Sequence, residues 1–435
     1  MTKLWQKEVS DSDIQKKIES FTVGSDKVWD LYLAKSDVLG SLAHAKMLQN
    51  IGLISINELA ELEDGLLQIL KSIEARTFII EEGVEDVHSQ IEILLTRNKG
   101  EVGKKIHSGR SRNDQSLVDI KLFIREELKN ISKKVAVVFH QLLDLSEQHQ
   151  TTLLPGYTHM QLAMPSSFGL WFGAYAESLS DDLELLIAAY HVANKNPLGS
   201  GAGFGSSFPL NRQMTTDLLG FEQMNYNVVY AQMTRGKTEK ITAMALATIA
   251  ATLSRFSSDV CLYMNQNFDF ISFPKEFTTG SSIMPHKKNP DVFELIRGKC
   301  NRIQALPNEL TLLMNNLTSG YHRDMQLTKE CLFPALIEIN GCLDILALML
   351  ENIEVKDNSI ADEKYQTIFT VEAVNNLVLS GVPFRDAYKI IADQVENKTF
   401  KANTKLNHVH EGSIGNLCTA QIKIQFEKKI QQLLK

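Results

Sequence analysis

The run RSRNDQSLVDIKLFIREELKNISKKVAVVFHQLLDLSEQHQTTLL, residues 110–154, contains neither glycine nor proline. Glycine costs a helix interior about 1 kcal/mol and proline about 3, so a run this long without either favours continuous helix. Val135, Val138, Phe139, Leu142 and Leu145 recur within it at the three- and four-residue steps that put apolar groups on one helical face. Further along the chain the same pattern predicts a second long helix over 166–194. A third is predicted over 237–264, with Ile241, Ala245, Ile249, Leu253, Phe256 and Val260 on one stripe. A fourth starts at Asn289-Pro290, where Asn suits the N-cap and Pro the first helical position; Pro307 is expected to kink it. A fifth covers 324–350, with a kink near Pro334.

These five helices, roughly 20 to 35 residues each against an ordinary length of about 11–12, predict a mainly α protein with an elongated central bundle. Helices so long also predict packing against other subunits. Toward the N-terminus, Ser55-Ile56-Asn57-Glu58 forms a capping box ahead of Leu59, Leu62, Leu66, Ile69 and Ile73, which predicts a helix over 55–74. Toward the C-terminus, Gly381-Val382-Pro383 is a glycine stop followed by proline. At roughly 150 residues per domain, three divisions follow: a helical 1–107, the bundle at 108–357 and a small helical 358–435.

Composition narrows the function. Of 435 residues, 44% are hydrophobic, and the 10 prolines and 24 glycines fall below the usual ~5% and ~7%. A net charge of −7 argues against wholesale attraction to nucleic acid or an anionic membrane. Met1–Lys7 lacks an apolar signal-peptide core, and the stretch 241–253, the most apolar run on this reading, is too short to span a bilayer. Five scattered cysteines without a C-x-x-C suggest reduced thiols, and no His/Cys set has zinc spacing. A soluble cytoplasmic protein without metal or cofactor is expected.

Three loops between helices carry more polar chemistry than connectors need. His107-Ser108-Gly109-Arg110-Ser111-Arg112-Asn113-Asp114-Gln115 offers guanidinium groups and a helix N-terminus to an anion; Asn113 or Asp114 as a simple N-cap beside solvated arginines is the plainer alternative. Leu154-Pro155-Gly156-Tyr157-Thr158-His159-Met160-Gln161 places a histidine among hydroxyls, fit either for proton transfer or for a structural role. The segment 278–291, from Thr278 through Gly280-Ser281-Ser282 to Lys287-Lys288-Asn289, reads as a mobile, donor-rich loop or a basic linker. Residues 231–238 nearly match a P-loop, and 199–205 nearly match G-x-G-x-x-G. The helical context excludes the first, and the second fails in every frame.

Gly280-Ser281-Ser282-Ile283-Met284-Pro285, with Lys287 and Asn289, resembles the signature of the fumarase/aspartase lyase superfamily. Ser108 to Gln115, Gly156-Tyr157-Thr158-His159, Tyr321-His322-Arg323-Asp324-Met325-Gln326 with Lys329, and Gly381 to Arg385 are similar to its argininosuccinate lyase family, in the right order along nearly the whole chain. The resemblance implies a three-domain, mainly α subunit whose long helices join those of three others in a homotetramer, with each active site shared between chains. It implies reversible, cofactor-free cleavage of argininosuccinate to arginine and fumarate, the last step of arginine biosynthesis. It further implies His159 and Ser281 as the proton-transfer pair, with either as the base, and Glu294 orienting His159. By the same resemblance Lys287 and Asn289 are expected to face substrate carboxylates, and Ser111, Arg112, Asn113, Thr158, Tyr321, Gln326 and Lys329 to line the substrate site.

Leu162, Met164, His286, Thr234 and Gly236 depart from the family pattern, and the segment Phe21 to Ser25 is altered near Asp30. The complete Ser108–Gln115 string disfavours an adenylosuccinate-, aspartate- or malate-acting relative. The intact His159, Ser281, Lys287 and Asn289 disfavour a crystallin-like non-catalytic one. Net charge and the lack of interleaved aromatics disfavour a nucleic-acid binder.

Overall fold

The computed structural model describes residues 13–357 and 359–434; Met1–Lys7 and Asn358, the expected start of the C-terminal segment, lie outside them. The mainly α expectation is borne out. The five long helices run over Arg112–Gln148, Phe168–Ala193, Lys237–Tyr263, Asp291–Leu313 and Thr328–Leu350. Pro307 and Pro334 lie inside the fourth and fifth helices, which continue past them. The capping box forms as expected: Glu58 N–H donates to Ser55 Oγ (3.3 Å) and Ser55 N–H to Glu58 Oε2 (2.8 Å), starting the helix Ile56–Glu74.

By contacts the chain falls into two compact units that cut through the long helices, a different line of division from the three consecutive segments. The first comprises Met1–Asn130, Leu185–Ala247 and Ile303–Glu338. Its core includes Ala43, Val118, Leu122, Leu198, Leu219 and Phe221. The start of the first long helix corrects the expected cap. Ser111, rather than Asn113 or Asp114, lends its Oγ to the Asn113 N–H (3.2 Å), while Asp114 accepts from Ser111 N–H (2.8 Å).

The other Asp114 oxygen accepts from Gly199 N–H (2.9 Å) and Gly201 N–H (2.8 Å). Gly199, Gly201, Gly203 and Gly205 all have positive φ, which explains the glycine run: only glycine enters that region freely, and the resulting amide nest wraps the chain's own carboxylate. Burial pushes the Asp114 carboxyl up to about 6 despite these amides. Lys121, also buried, donates to Asn225 Oδ1 (2.7 Å) and Lys195 O (3.1 Å), tying the helix to the short parallel pair Lys195–Asn196 and Gln223–Met224. Burial pulls its ammonium down to about 7.

The second unit comprises Ile131–Glu184, Thr248–Arg302 and Ile339–Lys435. Trp171 stacks on Phe256 (5.2 Å) and donates its indole N–H to Asp259 (3.0 Å). Phe426, on the helix Thr419–Leu434, stacks nearly parallel on Phe139 at 3.7 Å. The glycine stop behaves as predicted: the helix Thr370–Leu379 ends, Gly381 takes φ +101°, and Pro383 leads into Phe384–Glu396.

Among the described residues one helical stretch, Arg323–Leu350, is long and apolar enough by length and composition to cross a membrane. Its Leu332, Phe333, Leu336, Ile339, Leu343 and Leu346 are buried within the fold, as in a core helix. Other large apolar side chains on the long helices stay exposed, among them Val137, Met244, Leu295, Leu312, Ile337 and Leu348.

Candidate functional site

In the first unit, a cavity of about 300 Å³ gathers Arg112, Asn113, Tyr321, Gln326 and Lys329, five of the residues expected to line a substrate site. Two of the cations are already engaged. Arg112 Nη1 donates to Asp86 Oδ1 (2.5 Å) and Ser89 Oγ (2.8 Å), so its guanidinium is aimed before any ligand arrives. Asp86 in turn caps the helix Val87–Lys99 by accepting from Ser89 N–H (2.7 Å). Burial works to raise the Asp86 carboxyl, but the charges of His88 and Arg112 outweigh it and hold it below its usual range. Lys329 is buried with its ammonium against Asp26 (2.6 Å) and Asp30. Burial opposes its charge, yet the two carboxylates prevail and raise its pKa.

The segment between the fourth and fifth long helices is tied down by its own side chains. Gln326 donates to the Thr22 carbonyl (3.0 Å), and Arg323 donates to Glu85 (2.7 Å) and to Thr22 O (3.1 Å). The altered 21–25 stretch thus supplies backbone acceptors, and Ser25 donates to Glu330 (2.6 Å). Ser111, at the cap of the first long helix, accepts from Asn113 N–H and keeps its own hydroxyl proton to donate.

His88 also lines this cavity and was missed in the sequence. Its Nδ1 is 2.5 Å from Asp37 Oδ2 and 3.3 Å from Asp119 Oδ2. Burial would raise Asp37, but the His88 hydrogen bond and charge bring it down to about 2; burial and the neighbouring Asp37 charge push Asp119 well up. The acidic Glu85-Asp86 ahead of His88 was the only local signal, because Asp37 and Asp119 are far away in sequence. Among the described residues these three alone bring metal-type ligand atoms within 4.8 Å of one another. Ligands at ~2.0–2.2 Å from an ion need more separation than the 2.5 Å hydrogen bond leaves, and half-buried Arg110 already supplies positive charge. The cluster is an internal ion-pair network.

The remaining predicted residues, Thr158, His159, Ser281, Lys287, Asn289 and Glu294, all belong to the second unit. His159 corrects the plain-loop expectation: it sits at the tip of an antiparallel hairpin, Leu153–Thr158 with Gln161–Ser167, in which Thr158 pairs with Gln161. His159 (φ +52°) and Met160 (φ +60°) form its two-residue turn, a conformation usually left to Asn-Gly. The imidazole is exposed there on a strained backbone.

The 278–290 loop has a closed neck. Thr279 and Asn289 exchange backbone hydrogen bonds (2.8 and 3.4 Å), and Asn289 Nδ2 reaches Gly280 O (3.4 Å). Inside it, Ser281 Oγ accepts from Ile283 N–H (3.3 Å) and Met284 N–H (3.1 Å). Lys287 is exposed at its rim. Glu294, in the first turn of the fourth long helix, reaches Arg297 at 4.0 Å, and among the described residues it makes no hydrogen bond to His159.

The Lyase family model matches residues 10–305. An argininosuccinate lyase of Bacteroides fragilis is 56% identical over 429 residues, covering 99% of this chain and 95% of its own. That of Thermotoga neapolitana is 37% identical, covering 90% of this chain and 98% of its own. Among solved structures, an EDDS lyase in complex with formate superposes with a TM-score of 0.75 at 21% identity, covering 96% of this chain and 90% of its own. A class II fumarase from Schistosoma mansoni gives 0.73 at 15%, covering 96% and 93%. At such identities these two speak for the fold alone. With its signature segments in order and relatives matched nearly end to end, the chain belongs to the lyase family, in its argininosuccinate lyase branch.

Proposed function

We propose that the chain cleaves argininosuccinate reversibly to L-arginine and fumarate, acting as a carbon–nitrogen lyase in arginine biosynthesis. The observation that carries this reading is the mixed charge of the first-unit cavity, where Asp26, Asp30, Glu85 and Asp86 stand among Arg112, Arg235, Arg323 and Lys329. Argininosuccinate combines carboxylates with an ammonium and a guanidinium group, and a site bearing both signs matches it.

In the elimination, a proton leaves the carbon beside a succinyl carboxylate, the C–N bond breaks, and the departing guanidine nitrogen takes up a proton. His159 and Ser281 serve these two transfers. Two backbone N–H groups already point at Ser281 Oγ, as stabilisation of an alkoxide requires, and Lys287 adds positive charge for the enolate-like intermediate. Thr158, Asn289 and Glu294 complete the set, with Glu294 orienting His159. The exposed apolar side chains of the long helices support a homotetramer, and five scattered cysteines without a C-x-x-C support a cytoplasmic setting. Fumarate release, followed by its ultraviolet absorbance on adding argininosuccinate, tests the activity; a folded chain that releases none overturns it.

A further inference from the structure

The turn Thr234-Arg235-Gly236 departs from its family's pattern on both sides of one arginine, and the structure gives that arginine a specific task. Arg235 is 5% exposed, and its guanidinium faces protein through both Nη atoms and a charged neighbour beside Nε. Nε sits 2.9 Å from Glu239 Oε1, Nη1 donates to Ser116 Oγ (3.1 Å), and Nη2 donates to the Met325 carbonyl (2.9 Å) and to Thr328 Oγ1 (3.4 Å). Ser116 lies one turn beyond Arg112 and Asn113. Met325 and Thr328 flank Gln326 and adjoin Lys329. The planar fork therefore spans the two chain segments that carry the cavity's binding groups, and it does so along the cavity wall.

The turn that presents it is itself over-determined. Gly236 has φ +78°, a conformation side chains rarely adopt, and a Cβ there, 1.9 Å from Met314 Sδ, would push that side chain aside. Glu239 accepts from Gly236 N–H (2.7 Å) and from Thr328 Oγ1 (3.3 Å), so one carboxylate holds both the arginine and the segment it reaches. With three of its hydrogen bonds going to Ser116, Met325 and Thr328 and its Nε facing Glu239, the guanidinium fixes the distance between the groups that bind a ligand.

We propose that Arg235 is a positioning residue for substrate recognition, setting the gap between the Arg112–Asn113 turn and the Gln326–Lys329 segment. The proposal rests on the argininosuccinate reading above and adds to it the part that holds the binding groups in register. Lysine keeps the charge but cannot reproduce a three-way fork.

The test is steady-state kinetics of Arg235→Lys and Arg235→Gln beside the unaltered enzyme, with arginine as a product inhibitor. KM and the inhibition constant for arginine should rise together by about 10-fold or more, with kcat changed less than about 3-fold, because the clamp acts on ground and transition states alike. A general loss of structure would reduce the active fraction, and so kcat, without moving the inhibition constant. Should the arginine variants fail to fold, the double variant Ser116→Ala/Thr328→Val removes two of the contacts and leaves the buried Arg235–Glu239 pair intact; KM should still rise severalfold. An active unaltered enzyme whose folded variants keep KM within about 2-fold overturns the positioning role alone. An unaltered chain that releases no fumarate overturns the functional reading, and this inference with it.

Discussion

Ser281 and Arg112 illustrate two ways of preparing a side chain before a ligand is present. Ser281 Oγ receives two backbone N–H groups, an arrangement that favours negative charge on oxygen and therefore acts where charge develops. Ser281→Ala should cut kcat by about 10³-fold or more while KM changes little, as expected for an interaction made only in the transition state. Arg112 is instead aimed by Asp86 and Ser89. Arg112→Ala should raise KM by at least about 10-fold through loss of a carboxylate clamp. Asp86→Asn should raise it by a smaller factor, because the guanidinium remains but loses its guide. Unchanged KM in both variants, measured by fumarate release, would show that Arg112 is not primarily a clamp.

At the scale of elements, the long helices were legible because their signals are local: missing breakers, stripes at three- and four-residue steps, a capping box. The His159 hairpin was not, because Leu153–Thr158 contains proline and glycine and offers no alternation to mark a strand. The glycine run at 199–205 was legible only as a failed motif; its purpose depends on Asp114, far back in the chain. His88 and Arg235 escaped for the same reason, since Asp37, Asp119, Ser116 and Met325 are joined to them only by folding.

Lys121 belongs to this scale, as one buried amine tying a long helix to a pair of short strands. Its pKa of about 7 in the fold lies below the ~10.4 of an exposed lysine, so the unfolded chain binds the extra proton and stability must rise with pH between those values. The slope is at most about 1.4 kcal/mol per pH unit. Urea unfolding of Lys121→Met between pH 7 and 9 should show that part of the slope removed.

For the whole molecule, the exposed apolar side chains of the long helices are the surface that the proposed homotetramer would cover. If the sites of the proposed tetramer draw on different chains, two inactive variants complement one another. His159→Asn and Ser281→Ala, dissociated, mixed and reassembled, should regain partial activity through sites that contain neither defect. Light scattering that finds an active monomer would refute shared sites. Proven subunit exchange without recovery would assign His159 and Ser281 to one chain.

The closed neck of the 278–290 loop also makes it a proteolytic reporter. Thr279 and Asn289 pin its ends while Lys287 and Lys288 stand exposed between them, so trypsin meets its preferred bonds on a tethered flap without unfolding the rest of the chain. Brief digestion should yield two fragments meeting near residue 287. Saturating fumarate should slow that nick, turning a cleavage rate into a direct gauge of how often the flap is shut.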